Sequence, residues 1–162
     1  KNFFLIANFL IKKLDDVSVI TISKKYKYKF NKKISFLSTK YFFWDSFGRI
    51  TKYIISLYLL FIEYLKNRNL TVFCFQGNIL CIIFCKIFRI KIIIRPNSSP
   101  SGWSQNLFKK FIFSNMLKLA DVIIVNSIKF KNELKEKLNI DAECIYNPLN
   151  YKEIKKLSKK KN

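Results

Sequence analysis

The chain has 162 residues, half of them hydrophobic, and a formal net charge of +21 from 31 Lys and Arg against 10 Asp and Glu. This length supports one domain with a buried core, and this hydrophobic content excludes a disordered chain. The absence of His excludes Ser–His–Asp and Cys–His catalysis and removes the commonest zinc ligand. The charge predicts attraction to polyanions such as anionic lipid, nucleic acid or phosphorylated substrates.

The cationic residues are mostly Lys, and only four of them are Arg. Sites that bind planar anions or read nucleic acid favour Arg, because its guanidinium presents a fixed fork of donors. The balance therefore favours an anionic membrane surface over nucleic acid as a partner. Codon bias in an AT-rich gene is the alternative explanation for part of the Lys excess.

Apolar periodicity and β-branched residues predict alternating helices and strands along the chain. In chain order, the predicted elements are a helix at 2–14, a strand at 17–23, a basic loop at 24–33, a short strand at 34–38, a helix at 46–65, a strand at 70–75, a helix at 79–88, a strand at 90–94, a helix at 105–119, a strand at 121–125, a helix at 128–138 and a strand at 143–146. Ser127 is the predicted N-cap of the helix at 128–138.

The segments 90–94 and 121–125 are apolar on both faces, as is typical of parallel strands covered by helices. We predict an α/β fold: a Rossmann-like doubly wound parallel sheet with helices on both faces. Its neighbouring strands are 17–22, 70–75, 90–94 and 121–125. The predicted domain spans 1–150, and 151–162 is a basic tail or a linker towards a second domain. Residues at helical spacing predict the buried face of the helix at 105–119: Phe108, Phe111, Ile112, Met116 and Leu119.

Polar loops follow the predicted strands, and ligands of an open parallel sheet bind at the carboxyl ends of its strands. Hydroxyl and amide groups in these loops suit hydrogen bonds to sugars or phosphates, and Arg95 adds a charge. The candidate ligand-binding residues are Gln76, Asn78, Arg95, Asn97, Ser98, Ser99, Ser101, Ser127 and Asn147. Ordinary turn and capping chemistry is the alternative for the same residue types, for Ser127 and Asn147 above all.

Cys81 and Cys85 lie four apart in an apolar helical segment and are predicted to be small buried side chains. We expect no disulfide framework and no metal site. Neither a Gly-rich phosphate loop nor a paired carboxylate constellation occurs, so no segment identifies a nucleotide site.

The apolar stretches fall short of the roughly 20 residues of a membrane span, which leaves peripheral attachment. Two basic segments predict an electrostatic membrane contact, and their candidate residues are Lys24, Lys25, Lys27, Lys29, Lys109 and Lys110. A solvated loop is the alternative for 24–33. Phe108 and Phe111 are assigned to the core, so the expected attachment is mainly electrostatic.

Segments of the chain resemble family 4 glycosyltransferases of the GT-B fold. Residues 119–127 (LADVIIVNS) are similar to that family's A-D-x-I-I-x-x-S segment, and residues 144–150 (CIYNPLN) resemble its passage towards the second domain. Residues 79–100 look like its helix, strand and acceptor-side loop, and 3–23 resemble its first helix and second strand. The resemblance covers about residues 3 to 150.

The resemblance implies an enzyme that transfers a sugar from a nucleotide-sugar donor to a glycan or lipid-linked acceptor in cell-surface polysaccharide synthesis, independently of metal. This chain would be the acceptor-side half, with Arg95 to Ser101 in the acceptor wall and Ser127 and Asn147 towards the donor. It would bind no cofactor and be inactive alone, because a missing C-terminal domain holds the donor. The expected location is cytoplasmic, on the inner face of the membrane. The alternative is a non-catalytic basic α/β module that binds anionic membrane or nucleic acid.

Overall fold

The computed structural model describes residues 3–21, 27–38, 48–75, 79–98, 100, 107–151, 155 and 158. The chain divides into two compact units, one formed by Lys1–Asp45 with Asn147–Asn162 and the other by Ser46–Tyr146. Both contain parallel strands and helices. The predicted α/β, Rossmann-like class is confirmed.

The first unit contains a helix and a small parallel sheet. Its elements are α1 (Phe3–Leu10), β1 (Ser18–Ile20), a 3₁₀ turn (Lys27–Lys29) and β2 (Ser35–Leu37). β1 pairs with β2 in parallel, with Val19 opposite Phe36. The strand at 17–22 was predicted to share a sheet with 70–75, and this prediction was wrong. Among the described residues it pairs with β2 in a separate sheet.

A small aromatic core holds this unit together. Ala7, Val19 and Ile34 are buried, and Phe30 packs edge-to-face against Phe3 and Phe36 at ring-centroid distances of 5.5 and 5.0 Å. The side chain of Asn8 joins α1 to the 3₁₀ turn: its Nδ2 donates to the Lys29 carbonyl at 2.8 Å, and its Oδ1 accepts from the Asn31 amide at 2.7 Å.

The second unit alternates helices and strands. Its elements are α2 (Arg49–Lys66), β3 (Thr71–Phe75), α3 (Ile79–Ile87), β4 (Lys91–Arg95), α4 (Leu107–Lys118), β5 (Val122–Val125), α5 (Ile128–Leu138) and β6 (Glu143–Cys144). The strands are parallel and ordered β3-β4-β5-β6. The predicted neighbours 70–75, 90–94 and 121–125 are confirmed.

The core of this unit lies on one face of the sheet. α3 contacts β4 and α4, and α5 contacts β5 and β6. Side chains alternate along β4 and β5: Ile92, Ile94, Ile123 and Val125 are buried, whereas Ile93, Val122 and Ile124 are half-buried. Ile94 lies beside Cys74 and Ile123 in the register. α2 packs on α3 through Phe61 and Tyr64, whose rings meet Phe88 at 5.3 and 5.4 Å.

The predicted buried face of α4 was wrong. Phe108 is 71% exposed and Phe111 is 68% exposed, and Ile112 and Leu119 are also exposed. The face that contains Ser114 and Leu117 is buried instead. Apolar residues occupy both sides of this helix, so their spacing alone does not select a face. The small Ser114 allows α4 to approach the core closely, and α4 contacts α3.

Candidate functional site

The carboxyl edge of the β3–β6 sheet brings together part of the predicted ligand-binding set. Arg95 ends β4 opposite Phe75 and is buried, at 7% exposure. Asn97 and Ser98 follow it and are exposed, while Pro96 between them and the strand is buried. Arg95 and Ser98 each have an interaction partner within the chain. This loop therefore exposes an amide and a hydroxyl directly after a buried arginine.

Ser127 and Asn147 have different surroundings. The Ser127 hydroxyl accepts a hydrogen bond from the Phe130 amide at 3.2 Å and caps α5, as the sequence predicts. It lies at the same carboxyl edge, two residues after the end of β5. Asn147 is exposed and belongs to the first compact unit. It also has an interaction partner within the chain. The predicted residues Gln76, Asn78, Ser99 and Ser101 lie outside the described residues.

The predicted membrane-contacting lysines are partly engaged within the protein. The Nζ atom of Lys27 lies 5.3 Å from the Phe36 ring centroid, and that of Lys29 lies 5.5 Å from the Phe4 centroid. Lys110 is half-buried, on the side of α4 that carries Ser114. Lys24 and Lys25, and the side chain of Lys109, lie outside the described residues.

A basic pocket occupies the opposite, amino edge of the sheet. It has a volume of about 480 Å³, opens to solvent, and is lined by Lys86, Arg89, Ile90, Lys91 and Asp121. Lys86 lies in the last turn of α3, Arg89 and Ile90 connect α3 to β4, Lys91 begins β4, and Asp121 directly precedes β5. Sequence reasoning missed this pocket. The available signal was three cations within six residues, followed by a single acid at the next strand start.

Asp121 organises the pocket. Its Oδ1 accepts from the Lys86 ammonium at 2.7 Å, its Oδ2 accepts from the Ile92 amide at 2.7 Å, and its own amide donates to the Ile92 carbonyl at 3.0 Å. Burial alone would raise the pKa of this carboxyl. The hydrogen bonds from Lys86 and Ile92 and the charges of Lys86 and Lys91 outweigh it, so the pKa lies below its ordinary value of 3.8. Asp121 therefore ties the start of β5 to β4 and α3.

Arg89 has a strained backbone at this pocket. It is the second residue after the end of α3 and adopts the left-handed conformation, with φ of 55°. The Ile90 amide donates to the Cys85 carbonyl at 2.7 Å and the Arg89 amide to the Lys86 carbonyl at 3.2 Å, which is the Schellman pattern. Glycine is the usual residue here, so an arginine costs about 1 kcal/mol of strain or more.

The thiol of Cys81 on α3 is protonated at neutral pH. Contact with Cys74 favours the thiolate of Cys81, but Cys85 and burial outweigh it and raise the pKa of Cys81 to about 12. Cys81 and Cys85 are both buried, as predicted. Among the described residues, no group of three or more Cys, Asp and Glu side chains forms a metal-binding arrangement.

Comparison with known proteins gives no family assignment: no protein-family model matches the chain, and no curated protein matches it significantly. Within the described part of the chain, no helix combines the length and apolarity needed to cross a bilayer.

Replacing Asp121 by Asn is expected to lower the free energy of unfolding by about 1 kcal/mol at neutral pH. A charged hydrogen bond contributes more than this when buried, but the Asp121 side chain is 35% exposed and is screened by solvent. Because the folded pKa is lowered, this stabilisation is present above the unfolded pKa and is lost as pH falls through the folded value. The free energies of unfolding of the wild-type chain and of Asp121→Asn, measured with urea, should therefore converge as the pH falls from 5 towards 2.

The matched control is Asp141→Asn, which removes the ion pair between Asp141 and Lys135 at 2.9 Å. The Asp141 side chain is 87% exposed, so no measurable change is expected. Equal losses for the two variants at every pH would contradict the clamping role of Asp121.

Proposed function

We propose that this chain is the acceptor-side half of a nucleotide-sugar-dependent glycosyltransferase of the GT-B type. The observation that carries the proposal is the carboxyl edge of four parallel strands, where the buried Arg95 is followed by the exposed Asn97 and Ser98. Ligands of open parallel sheets bind at this edge. The resemblance of residues 119–127 and 144–150 to family 4 supports the same assignment.

In this proposal the edge binds and orients an acceptor glycan. Asn97 and Ser98 form hydrogen bonds with sugar hydroxyls, and the guanidinium of Arg95 supplies positive charge for an acceptor that carries a phosphate. The amino end of α5, capped by Ser127, adds the positive end of a helix dipole at the same edge. A second domain, outside this sequence, holds the donor and stabilises the departing nucleotide.

Binding of simple sugars tests the proposal. Methyl glycosides of glucose, galactose and N-acetylglucosamine are titrated into the isotopically labelled chain while backbone amide resonances are recorded. At least one should shift the amides of residues 95, 97, 98, 126 and 127. The double substitution Asn97→Ala with Ser98→Ala should weaken that binding by about tenfold, since each hydrogen bond contributes about 0.5–1.5 kcal/mol.

Asn132→Ala is the matched control, because Asn132 is an exposed amide on α5. It should leave the sugar affinity unchanged. Shifts confined to other regions, or equal affinities of the double variant and the wild-type chain, would contradict an acceptor site at this edge.

A second proposal concerns the membrane, and it rests on the exposed rings of α4. Phe108 and Phe111 lie on the solvent side of the helix with Ile112, and Lys118 follows at its end. Exposed apolar side chains beside cations are typical of peripheral contact with anionic bilayers. We propose that α4 docks on such a bilayer, at the inner face of the cytoplasmic membrane, and so brings the acceptor edge to lipid-linked acceptors. If the chain binds anionic vesicles but no sugar, the alternative function is the better assignment: a non-catalytic basic α/β module that binds anionic membrane.

A further inference from the structure

We propose that the basic pocket at the amino edge of the β3–β6 sheet binds a phosphate group. This site is distinct from the carboxyl edge, and the inference does not depend on the proposed transferase function. The pocket is lined by Lys86, Arg89 and Lys91 against one acid, Asp121. The lining charge is therefore +2, which matches a phosphate dianion.

The size of the pocket suits a phosphate with a group attached to it. Its volume of about 480 Å³ lies within the range of small-molecule sites, and it opens directly to solvent. A guanidinium and two ammonium groups supply charge-assisted hydrogen bonds, the strong class for phosphate oxygens. Ile90, which is buried, supplies the apolar part of the lining.

Helix ends explain only part of this cluster. Cations in the last turn of a helix interact favourably with its dipole, and the last turns of α2, α3, α4 and α5 all contain Lys. That effect accounts for Lys86. It does not account for Lys91, which begins a strand, or for Arg89, which lies beyond the helix.

The conformation of Arg89 gives the strongest argument. The equivalent left-handed position at the end of α5 is Asn139, with φ of 50°, a residue type that tolerates this conformation. At the end of α3 an arginine occupies this position, and its left-handed backbone conformation is strained. Among the described residues no ion-pair partner of Arg89 is found. Backbone strain of this kind clusters at active sites and ligand clamps.

Asp121 tunes the site. Its carboxylate holds the Lys86 ammonium at 2.7 Å and so fixes one wall of the pocket. The same carboxylate competes with an incoming anion. Removing its charge should therefore strengthen phosphate binding, whereas removing Arg89 should weaken it.

The phosphate has two plausible sources, a soluble phosphate ester or a phospholipid headgroup. Ile87 lies between Lys86 and Arg89 in the sequence and is 69% exposed, and Leu119, two residues before Asp121, is 42% exposed. These side chains would contact acyl chains next to a headgroup phosphate.

Inorganic phosphate is titrated into the labelled chain at constant ionic strength, and the amide shifts of residues 86–91 and 121 are followed. Arg89→Asn should weaken the fitted affinity about tenfold, since Asn keeps the backbone conformation and removes the cation. Asp121→Asn should strengthen it about threefold. Lys131→Gln, which removes an exposed cation from α5, is the charge-matched control and should change it less than twofold.

The variant Arg89→Gly separates loss of the cation from loss of folded protein. Glycine relieves the left-handed strain, so the urea midpoint of this variant should rise while its phosphate affinity falls as in Arg89→Asn. Shifts spread evenly over the basic surface, or equal affinities of Arg89→Asn and Lys131→Gln, would overturn the site.

Vesicles identify the source. Phosphatidylcholine vesicles containing phosphatidic acid are compared with vesicles of equal charge containing phosphatidylglycerol. A lipid ligand predicts tighter binding to phosphatidic acid that Arg89→Asn abolishes. A soluble ligand predicts equal binding to the two lipids, while inorganic phosphate still binds at the pocket and Arg89→Asn still weakens that binding.

Discussion

Replacing Ile94 by Ala is expected to lower the free energy of unfolding by about 2–5 kcal/mol. Ile94 is fully buried in β4 and lies beside Cys74 and Ile123 in the sheet register. Truncation removes buried methylene and methyl groups and leaves a cavity that the surrounding strands fill only partly. Domain stabilities are about 5–15 kcal/mol, so urea unfolding should show a large fall in midpoint with an unchanged slope.

Two substitutions of the same kind test whether the core lies on the Ile94 face of the sheet. Ile87→Ala, at a position that is 69% exposed, should change stability by about 0.5 kcal/mol or less. Ile93→Ala, on the half-buried face of β4, should give an intermediate loss. Comparable losses for Ile93 and Ile94 would mean that both faces of the sheet are equally packed, contrary to the burial pattern. The result also bears on the acceptor edge, because Ile94 directly precedes Arg95.

The elements of the second unit could be predicted from sequence because local signals agree with the tertiary structure there. The helix at 128–138 was predicted with the bounds that α5 has. Ser127 caps its start and Asn139 ends it in the left-handed conformation, so both boundaries are encoded within a few residues. Apolar runs of strand length, such as 121–125, likewise identified β5 within one residue.

The face of α4 could not be predicted, because its sequence offers two apolar sides. Phe108 and Phe111 form one, and Phe113 and Leu117 contribute to the other. Side-chain size would favour the first face, since Phe buries more area than most residues. Close approach to α3 favours the face with Ser114, and that choice depends on helix packing rather than on local periodicity.

The pairing of β1 and the pocket at Arg89 also lay beyond sequence reasoning. Hydrophobic pattern identifies a strand at 17–23 but not its partner, and parallel partners are far apart in sequence. Likewise, Lys86, Lys91 and Asp121 converge only because α3, β4 and β5 meet at one edge. The left-handed conformation of Arg89 has no local signal, because Gly and Asn are its usual markers.

Replacing both Phe108 and Phe111 by Ser is expected to weaken binding to anionic vesicles by about thirtyfold. Both rings are more than two-thirds exposed. Full burial of such a side chain contributes about 1.5–3 kcal/mol, so partial immersion of two rings contributes about 2 kcal/mol. The expectation of a mainly electrostatic contact assumed that these rings are buried, and that assumption was wrong. Sedimentation with phosphatidylglycerol vesicles measures the change.

The electrostatic contribution remains, and salt separates it from the apolar one. Each Lys near an anionic leaflet contributes about 1 kcal/mol and is screened within a Debye length, so binding should fall steeply with ionic strength. The double Phe variant keeps its charge, and its salt dependence should therefore match that of the wild-type chain. Neutral phosphatidylcholine vesicles should bind both proteins far more weakly, because the net charge of +21 then has no partner.

The matched control removes comparable apolar side chains from another helix. Ile54 and Tyr58 on α2 are 59% and 62% exposed, and their joint replacement by Ser should leave vesicle binding within about threefold of wild type. A loss as large as that of the α4 variant would indicate general adhesion of apolar surface rather than docking through α4. Absence of binding to anionic vesicles at low salt would remove the membrane proposal altogether and leave codon bias as the explanation of the Lys excess.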